Sequence, residues 1–307
     1  MSTPAHILQP ALRSYRGTIT SPERWSVWEP RRGDILVCTP PKSGTTWTQS
    51  MLSMLLHGST ELPDRVPVLS PWVDADLGAP ADEIAAALRT QPGRRVVKTH
   101  TPADGFPLWD GVTVIAVYRH PLDVFFSLRA HNANVAEPEP DDPFLLPLER
   151  AFRHYVEDPA DTGDFDRDTL AALALHYRET ALSGRLPELK LFHYADMLRD
   201  GRSTVEKLAR AVGVEASAEL IDTVTAATSF ESMKANAQDY APVAGTGFWK
   251  SDADFFESAS SRKWKGQLST EQIATYDARI RALVGDARAR RWLETGDGPT
   301  TAKDERQ

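Results

Sequence analysis

Lys42, Ser43, Gly44, Thr45 and Thr46 stand together in the stretch DILVCTPPKSGTTWTQSML (34–52), and residues of these types in a row are suited to holding an anion. A loop feeding a helix leaves backbone N–H groups unpaired, with the positive end of the helix dipole behind them. The glycine lets an oxyanion approach the backbone closely, and Lys42 adds a full positive charge. A second group sits in RRVVKTH (94–100), where Lys98 and His100 are two residues apart and so share one face of an extended strand. An imidazole with an ordinary pKa near 6.5 can take up a proton around neutrality. A lone histidine is more often structural, which is the expectation for His6, His57, His154, His176 and His193.

These groups need elements to position them. Ile35, Leu36 and Val37 form a continuous apolar run, the mark of a strand buried on both faces, as in a parallel sheet. Trp47, Met51, Met54 and Leu55 then recur at i, i+4, i+7 and i+8, one face of a helix. RRVVKTH, VTVIAVYRH (112–120) and LKLFHY (189–194) read as further buried strands, with helical segments over 81–90, 121–132, 143–158 and 169–185. The alternation predicts an α/β fold: a single domain with a doubly wound, mostly parallel sheet, flanking helices and a P-loop-like phosphate loop. In such sheets active groups gather beyond the carboxyl ends of the strands, where His100 falls. After residue 200 the pattern is mostly helical, with Val205, Leu208, Ala209 and Val212 on one face and Ile273, Tyr276 and Ile280 on another. Two long loops, 135–143 and 237–254, read equally well as lids or as solvated excursions.

Composition sets the outer bounds. Hydrophobic residues at 41% and charged residues at 25% are those of an ordinary globular protein, placed here in one domain over 1–295 with a polar, disordered tail at 296–307. A formal net charge of −8 argues against nucleic acid or an anionic membrane as partner, so the anion site must be a local basic pocket. Cys38 is the only cysteine, which excludes an internal disulfide and any cysteine-based metal cluster and suits a reducing compartment. The first residues lack a leader pattern, and no apolar run approaches the roughly 20 residues of an integral membrane segment. A cytoplasmic enzyme is expected.

The loop by itself leaves its anion open. A nucleotide-phosphate loop of the G-x-x-x-x-G-K-[ST] type is absent, since Lys42 precedes the glycine, and a simple tight turn capped by Ser43 or Thr45 would also account for it. Five segments in register decide between these. TPPKSGTTW (39–47) resembles the 5′-phosphosulfate loop of the cytosolic sulfotransferase family, and VYRHPLDVFFSL (117–128) resembles its 3′-phosphate motif, with Arg119 and Ser127 at the family's spacing. VVKTHTP (96–102), FHYADM (192–197) and TSFESMK (228–234) are similar to its Lys-Thr-His strand, its tyrosine segment and its adenine-flanking helix start. With SPWVDADL (70–77), the likeness is closest to actinobacterial glycolipid-type members.

The resemblance implies transfer of a sulfuryl group from 3′-phosphoadenosine 5′-phosphosulfate (PAPS), a co-substrate, to a hydroxyl or amine, without a metal. It makes His100 the general base, sets Lys42 on the oxygen bridging sulfur and phosphorus, and sets Lys98 on the sulfuryl oxygens. Ser127 would contact the 3′-phosphate and hold Lys42 until the acceptor arrives. Ser43, Gly44, Thr45 and Thr46 would grip the phosphosulfate, Arg119 the 3′-phosphate, and Trp47, Tyr194, Thr228 and Phe230 the adenosine. His131, on the same helix face as Ser127, would line the acceptor pocket. One departure stands out. The family's closing Arg-Lys-Gly run falls on Glu257, Ser258 and Ala259 if Trp264 and Lys265 are its Trp-Lys pair, so Arg262 or Lys263 is expected to meet the 3′-phosphate instead. A non-catalytic binder of adenosine 3′,5′-bisphosphate and a small-molecule kinase are the competing classes. The acceptor, a small molecule or a glycolipid, and the oligomeric state stay open, the family's dimerisation pattern being degraded at Ala274.

Overall fold

The alternating faces of the first buried strand set the layers of the fold. The computed structural model describes residues 3–258 and 260–297. A short β1 (Ile7–Gln9) pairs antiparallel with β4 (Leu108–Trp109), while β2 (Ile35–Cys38), β3 (Val96–Thr99), β5 (Thr113–Tyr118) and β6 (Lys190–His193) form a parallel sheet in the order β3-β2-β5-β6. Ile35 and Val37 pack with Met51, Met54 and Leu55 of α1 (Thr45–His57) on one side, and Leu36 and Cys38 pack with Val27, Trp28 and Phe106 on the other. Successive strand residues point to opposite faces, so both faces are apolar because both are covered. The sequence placed all four strands of this sheet. The β1–β4 pair it did not show, because two or three residues carry no periodicity to read.

At the amino ends of β2 and β3, Asp34 and Arg95 form an ion pair at 2.5 Å with both side chains buried. Asp34 also accepts from the Trp28 indole N–H at 3.1 Å and the Arg31 amide at 2.9 Å, while Arg95 donates to the carbonyls of Leu88 and Glu29. Two of the expected helices are shorter than the periodicity suggested. The segment 143–158 is a single turn at Pro143–Leu145 followed by a helix at Leu148–Glu157, because Pro147 can start a helix but not continue one. The segment 169–185 is α-helical over Leu170–Tyr177 and widens into a π turn at Arg178–Leu182. The expected tail falls, from residue 298, outside the described residues.

Candidate active site

The chain leaves β2 through Thr39 and enters α1 at Thr45 by way of a loop with two left-handed residues, Lys42 at φ 60° and Gly44 at φ 105°. A side chain on Gly44 would also strike the Tyr194 ring, 2.9 Å from where its Cβ would stand. Lysine rarely adopts positive φ, and the loop holds it there at a cost of order 1–3 kcal/mol. The backbone amides of residues 43–47 have no acceptor among the described residues, so the loop presents a row of free donors. The hydroxyls divide. Thr45 and Thr46 both line the cavity, but the Thr45 hydroxyl is bonded to that of Thr39 at 2.5 Å, and Ser43 is wholly buried, leaving its amide as its available donor.

The Lys42 ammonium donates to His131 Nδ1 at 2.8 Å and lies 4.8 Å from the Phe255 ring centre. Burial pulls its pKa down to about 7, with Arg119, Lys263 and Lys98 adding to the push. The contact with His131 differs from the expected one with Ser127, which lines the same cavity one turn earlier on the helix Pro121–Ala133. The imidazole has the longer reach. At the end of β3, Lys98 sits 4.7 Å over the Trp72 ring, and burial lowers its pKa to about 8. His100 follows, edge-on to Trp72 at 4.5 Å, with its Nδ1 2.6 Å from the Thr39 carbonyl. A carbonyl can only accept, so Nδ1 carries the proton and Nε2 presents its lone pair. Burial and the neighbouring Lys98 hold His100 well below its ordinary pKa, which keeps it neutral. Asp74 braces this strand end from behind, accepting from the hydroxyls of Thr99 at 2.8 Å and Thr101 at 2.6 Å.

Arg119 is 4% exposed and stacks its guanidinium 4.3 Å over the Tyr194 ring, donating to the carbonyls of Lys42 and Ser260 while its Nε has no partner. Asp123, four residues further on, does not pair with it: both carboxylate oxygens accept, at 2.8 Å each, from the amides of Arg262 and Lys263. Neither Arg262 nor Lys263 lines the cavity. Glu257 and Ser258 do, and the Lys263 ammonium is bound to the Glu257 carboxylate. The amides of 262 and 263 are anchored on Asp123, and the negative charge that replaces the expected basic run is met by Lys263, whose own charge is felt at Lys42. Ala259 lies outside the described residues.

Trp47, Tyr194, Thr228 and Phe230 lie on the wall of the cavity that also holds Lys42, Lys98, His100, Arg119, Ser127 and His131, a space of about 930 Å³. Trp47 meets Tyr194 edge-on at 5.7 Å, and its indole N–H is buried without a partner. The loop 241–256 closes over the space: Ala136 donates to the Phe248 carbonyl, Lys250 to that of Asn134, and Trp249 packs against His131 at 4.7 Å. His57 and His154 are bonded four residues away along the chain, to Ser53 and Asp158, and His193 is bonded across the fold to the Leu293 carbonyl. His176 bonds Tyr118 yet also reaches the cavity. Trp72, Asp74 and Asp123 escaped sequence reasoning as site residues; only their place within quoted motifs pointed to them. Among the described residues no group of three or more His, Cys, Asp or Glu is placed to hold a metal, and no helix is long and apolar enough to cross a membrane.

A parallel sheet with free loop amides, two desolvated lysines and a neutral imidazole at its carboxyl edge defines a group-transfer enzyme for an anionic donor. Residues 32–288 match the sulfotransferase domain family, so the chain belongs to that family, whose reaction is sulfuryl transfer from PAPS. It is 32% identical to a glycolipid sulfotransferase of Mycobacterium bovis over 88% of this chain and 90% of that protein, and 25% identical to rat sulfotransferase 1A1 over 90% and 92%. Among solved structures, retinol dehydratase in complex with retinol and PAP superimposes with a TM-score of 0.67 at 19% identity, covering 86% of this chain and 84% of that one. Mouse sulfotransferase SULT7A1 complexed with PAP gives 0.67 at 16%, covering 92% and 98%.

Proposed function

We propose that this cavity seats the nucleotide with its 5′-phosphosulfate on residues 42–47 and its 3′-phosphate beside Arg119, and that His100 takes the proton of an acceptor hydroxyl. The observation that carries this reading is a pair of half-buried, desolvated ammonium groups, Lys42 and Lys98, with no carboxylate in ion-pair contact among the described residues, beside free amides and a neutral imidazole. Such a set is incomplete until a multivalent anion neutralises it. The donor supplies the sulfuryl group and a phosphate leaving group. Lys42 meets charge that grows on the leaving oxygen, Lys98 orients the sulfuryl oxygens, and His100 receives the proton at Nε2.

Arg119 offers its fork to the 3′-phosphate, with Ser127 on the same wall; Trp47, Tyr194, Thr228 and Phe230 enclose the adenosine. The Thr228 hydroxyl already donates to the Val224 carbonyl at 2.8 Å, so its share is contact rather than donation. Arg262 and Lys263 act from behind, Lys263 by balancing Glu257. The acceptor is a small molecule or a glycolipid: the name of the mycobacterial relatives supports the latter, as do the exposed apolar side chains Val68, Leu77 and Phe248 on the cavity wall. A cytoplasmic setting fits the single, buried thiol of Cys38.

The test has two arms. Adenosine 3′,5′-bisphosphate should raise the melting temperature more than ATP with magnesium does. Labelled sulfate should then pass from PAPS to at least one member of a panel of phenols, alcohols, amines and glycolipids. Preferential stabilisation by ATP with magnesium overturns the assignment.

A further inference from the structure

Asp166 and Asp168 line the cavity and Asp142 lies near enough for its charge to reach Asp168; two of these three carboxylates are spent. Asp166 accepts from the amides of Ile19 and Thr20 and from the Thr20 hydroxyl, at 2.6–2.8 Å. Asp142 accepts from the Asn132 amide group and the Phe144 N–H, each at 2.8 Å. Asp168 is different: it lines the cavity that holds His100 and Lys42, and among the described residues its carboxylate has no hydrogen bond and no ion pair. Val124, Leu128, Phe165 and Leu173 line the same cavity, and Tyr155 is near enough for the Asp168 charge to be felt at its hydroxyl. Burial, with Asp166 and Asp142 acting in the same direction and Lys42 against them, pushes the Asp168 carboxyl up to about 7.

A half-buried, desolvated carboxylate with no partner is costly unless something pairs with it. Lys42 lies near enough for its charge to be felt, but its ammonium is bonded to His131. The charges of Asp166 and Asp142 act on a full positive charge and far less on a neutral hydroxyl. The exposed acidic residues Glu137, Glu139 and Asp141 extend the same sign of charge along the segment that begins beside Phe248 at the cavity mouth.

We propose that Asp168 is the recognition point for the acceptor, binding the protonated amine of a molecule that presents its hydroxyl to His100. The inference rests on the reading of this cavity as the acceptor site. Asp168 takes no proton from the reacting hydroxyl; it fixes the far end of the acceptor and sets which acceptors are bound.

The test compares three phenols with one ring and one spacer: tyramine, its neutral alcohol analogue tyrosol, and 4-ethylphenol. In the protein saturated with adenosine 3′,5′-bisphosphate, tyramine should bind about ten- to a hundredfold more tightly than 4-ethylphenol, read as a further rise in melting temperature or by calorimetry. Asp168→Asn, which keeps the shape and removes the charge, should bring that ratio down towards one, and Asp168→Ala should do the same. Stabilisation of each variant by adenosine 3′,5′-bisphosphate confirms that it is folded. These are binding measurements, so absence of turnover with every acceptor would count against the proposed reaction and leave this comparison intact. Equal binding of tyramine and 4-ethylphenol by the unaltered protein, tyrosol matching tyramine, or a ratio unmoved in both variants overturns the proposal.

Discussion

β2 and β3 carry desolvated charge at both of their ends, and the two ends treat it in opposite ways. At the amino ends Asp34 and Arg95 are paired, and carbonyls, amides and the Trp28 indole surround the pair. At the carboxyl ends Lys42, Lys98 and His100 are half-buried with no carboxylate bonded to them, and desolvation weakens the protonated form of all three. Burial is costly for charge in either place. Where the counter-charge belongs to the chain, the result is a clamp between neighbouring strands. Where it is withheld, the result is a site whose missing partner is a ligand.

Removing the base at the open end should give the largest effect. His100→Ala is expected to lower kcat by about 10²- to 10⁴-fold while adenosine 3′,5′-bisphosphate still binds, because the imidazole receives a proton and does not hold the nucleotide. Single-turnover measurements with saturating PAPS check this, and a variant that retains its rate shows that another group is the base. Breaking the closed end should do the reverse. Arg95→Met strands a buried carboxylate and should cost about 3–5 kcal/mol in urea unfolding, with kcat preserved in the folded fraction. Replacing Asp34 by Asn in the same chain should recover part of that loss, since no unpaired charge then remains.

The contrast between the ends was only half legible in the sequence. Unbroken apolar runs such as Ile35–Val37 and Ile115–Val117 revealed the strands, since a strand covered on both faces needs nothing else, and motif order fixed the loop, Lys98, His100 and Arg119. The partners of these groups were hidden. His131 against Lys42, Asp123 against the amides of 262 and 263, and Lys263 against Glu257 join residues 89, 139 and 140, and 6 positions apart. Spacing in the chain predicts contacts within a helix or strand, not across elements whose packing is set by the whole core. Asp123 shows the difference: the i+4 rule pairs it with Arg119, but in the fold it caps a distant loop instead.

Arg119 sharpens the comparison at an intermediate magnitude. It belongs to the open end, and its guanidinium is held by two carbonyls and the Tyr194 ring without a carboxylate. Arg119→Ala should weaken adenosine 3′,5′-bisphosphate roughly ten- to a hundredfold, the worth of one charge-assisted contact, and weaken adenosine 5′-monophosphate much less. Calorimetric titration of both nucleotides separates the outcomes: equal losses place Arg119 away from the 3′-phosphate.

The smallest effect is the one that reports directly on withheld counter-charge. Burial lowers the pKa of Lys42 to about 7 and of Lys98 to about 8, so in the empty protein both lose protons as pH rises from 7 to 9. An anion seated on the loop favours their charged forms and restores those protons. Binding above pH 7 therefore takes up protons, and affinity must fall as pH rises, by about tenfold per pH unit while one proton is bound. The phosphates of adenosine 3′,5′-bisphosphate are already ionised in this range and do not reverse the trend. Titrations in buffers of different ionisation enthalpy measure the uptake, expected near one proton between pH 7 and 8. Lys42→Met should remove that first step and leave the dissociation constant flat until about pH 8, where Lys98 begins to lose its charge. A Kd for the unaltered protein that stays constant from pH 7 to 9 would mean that both ammonium groups keep their ordinary pKa, and that the open end is as well compensated as the closed one.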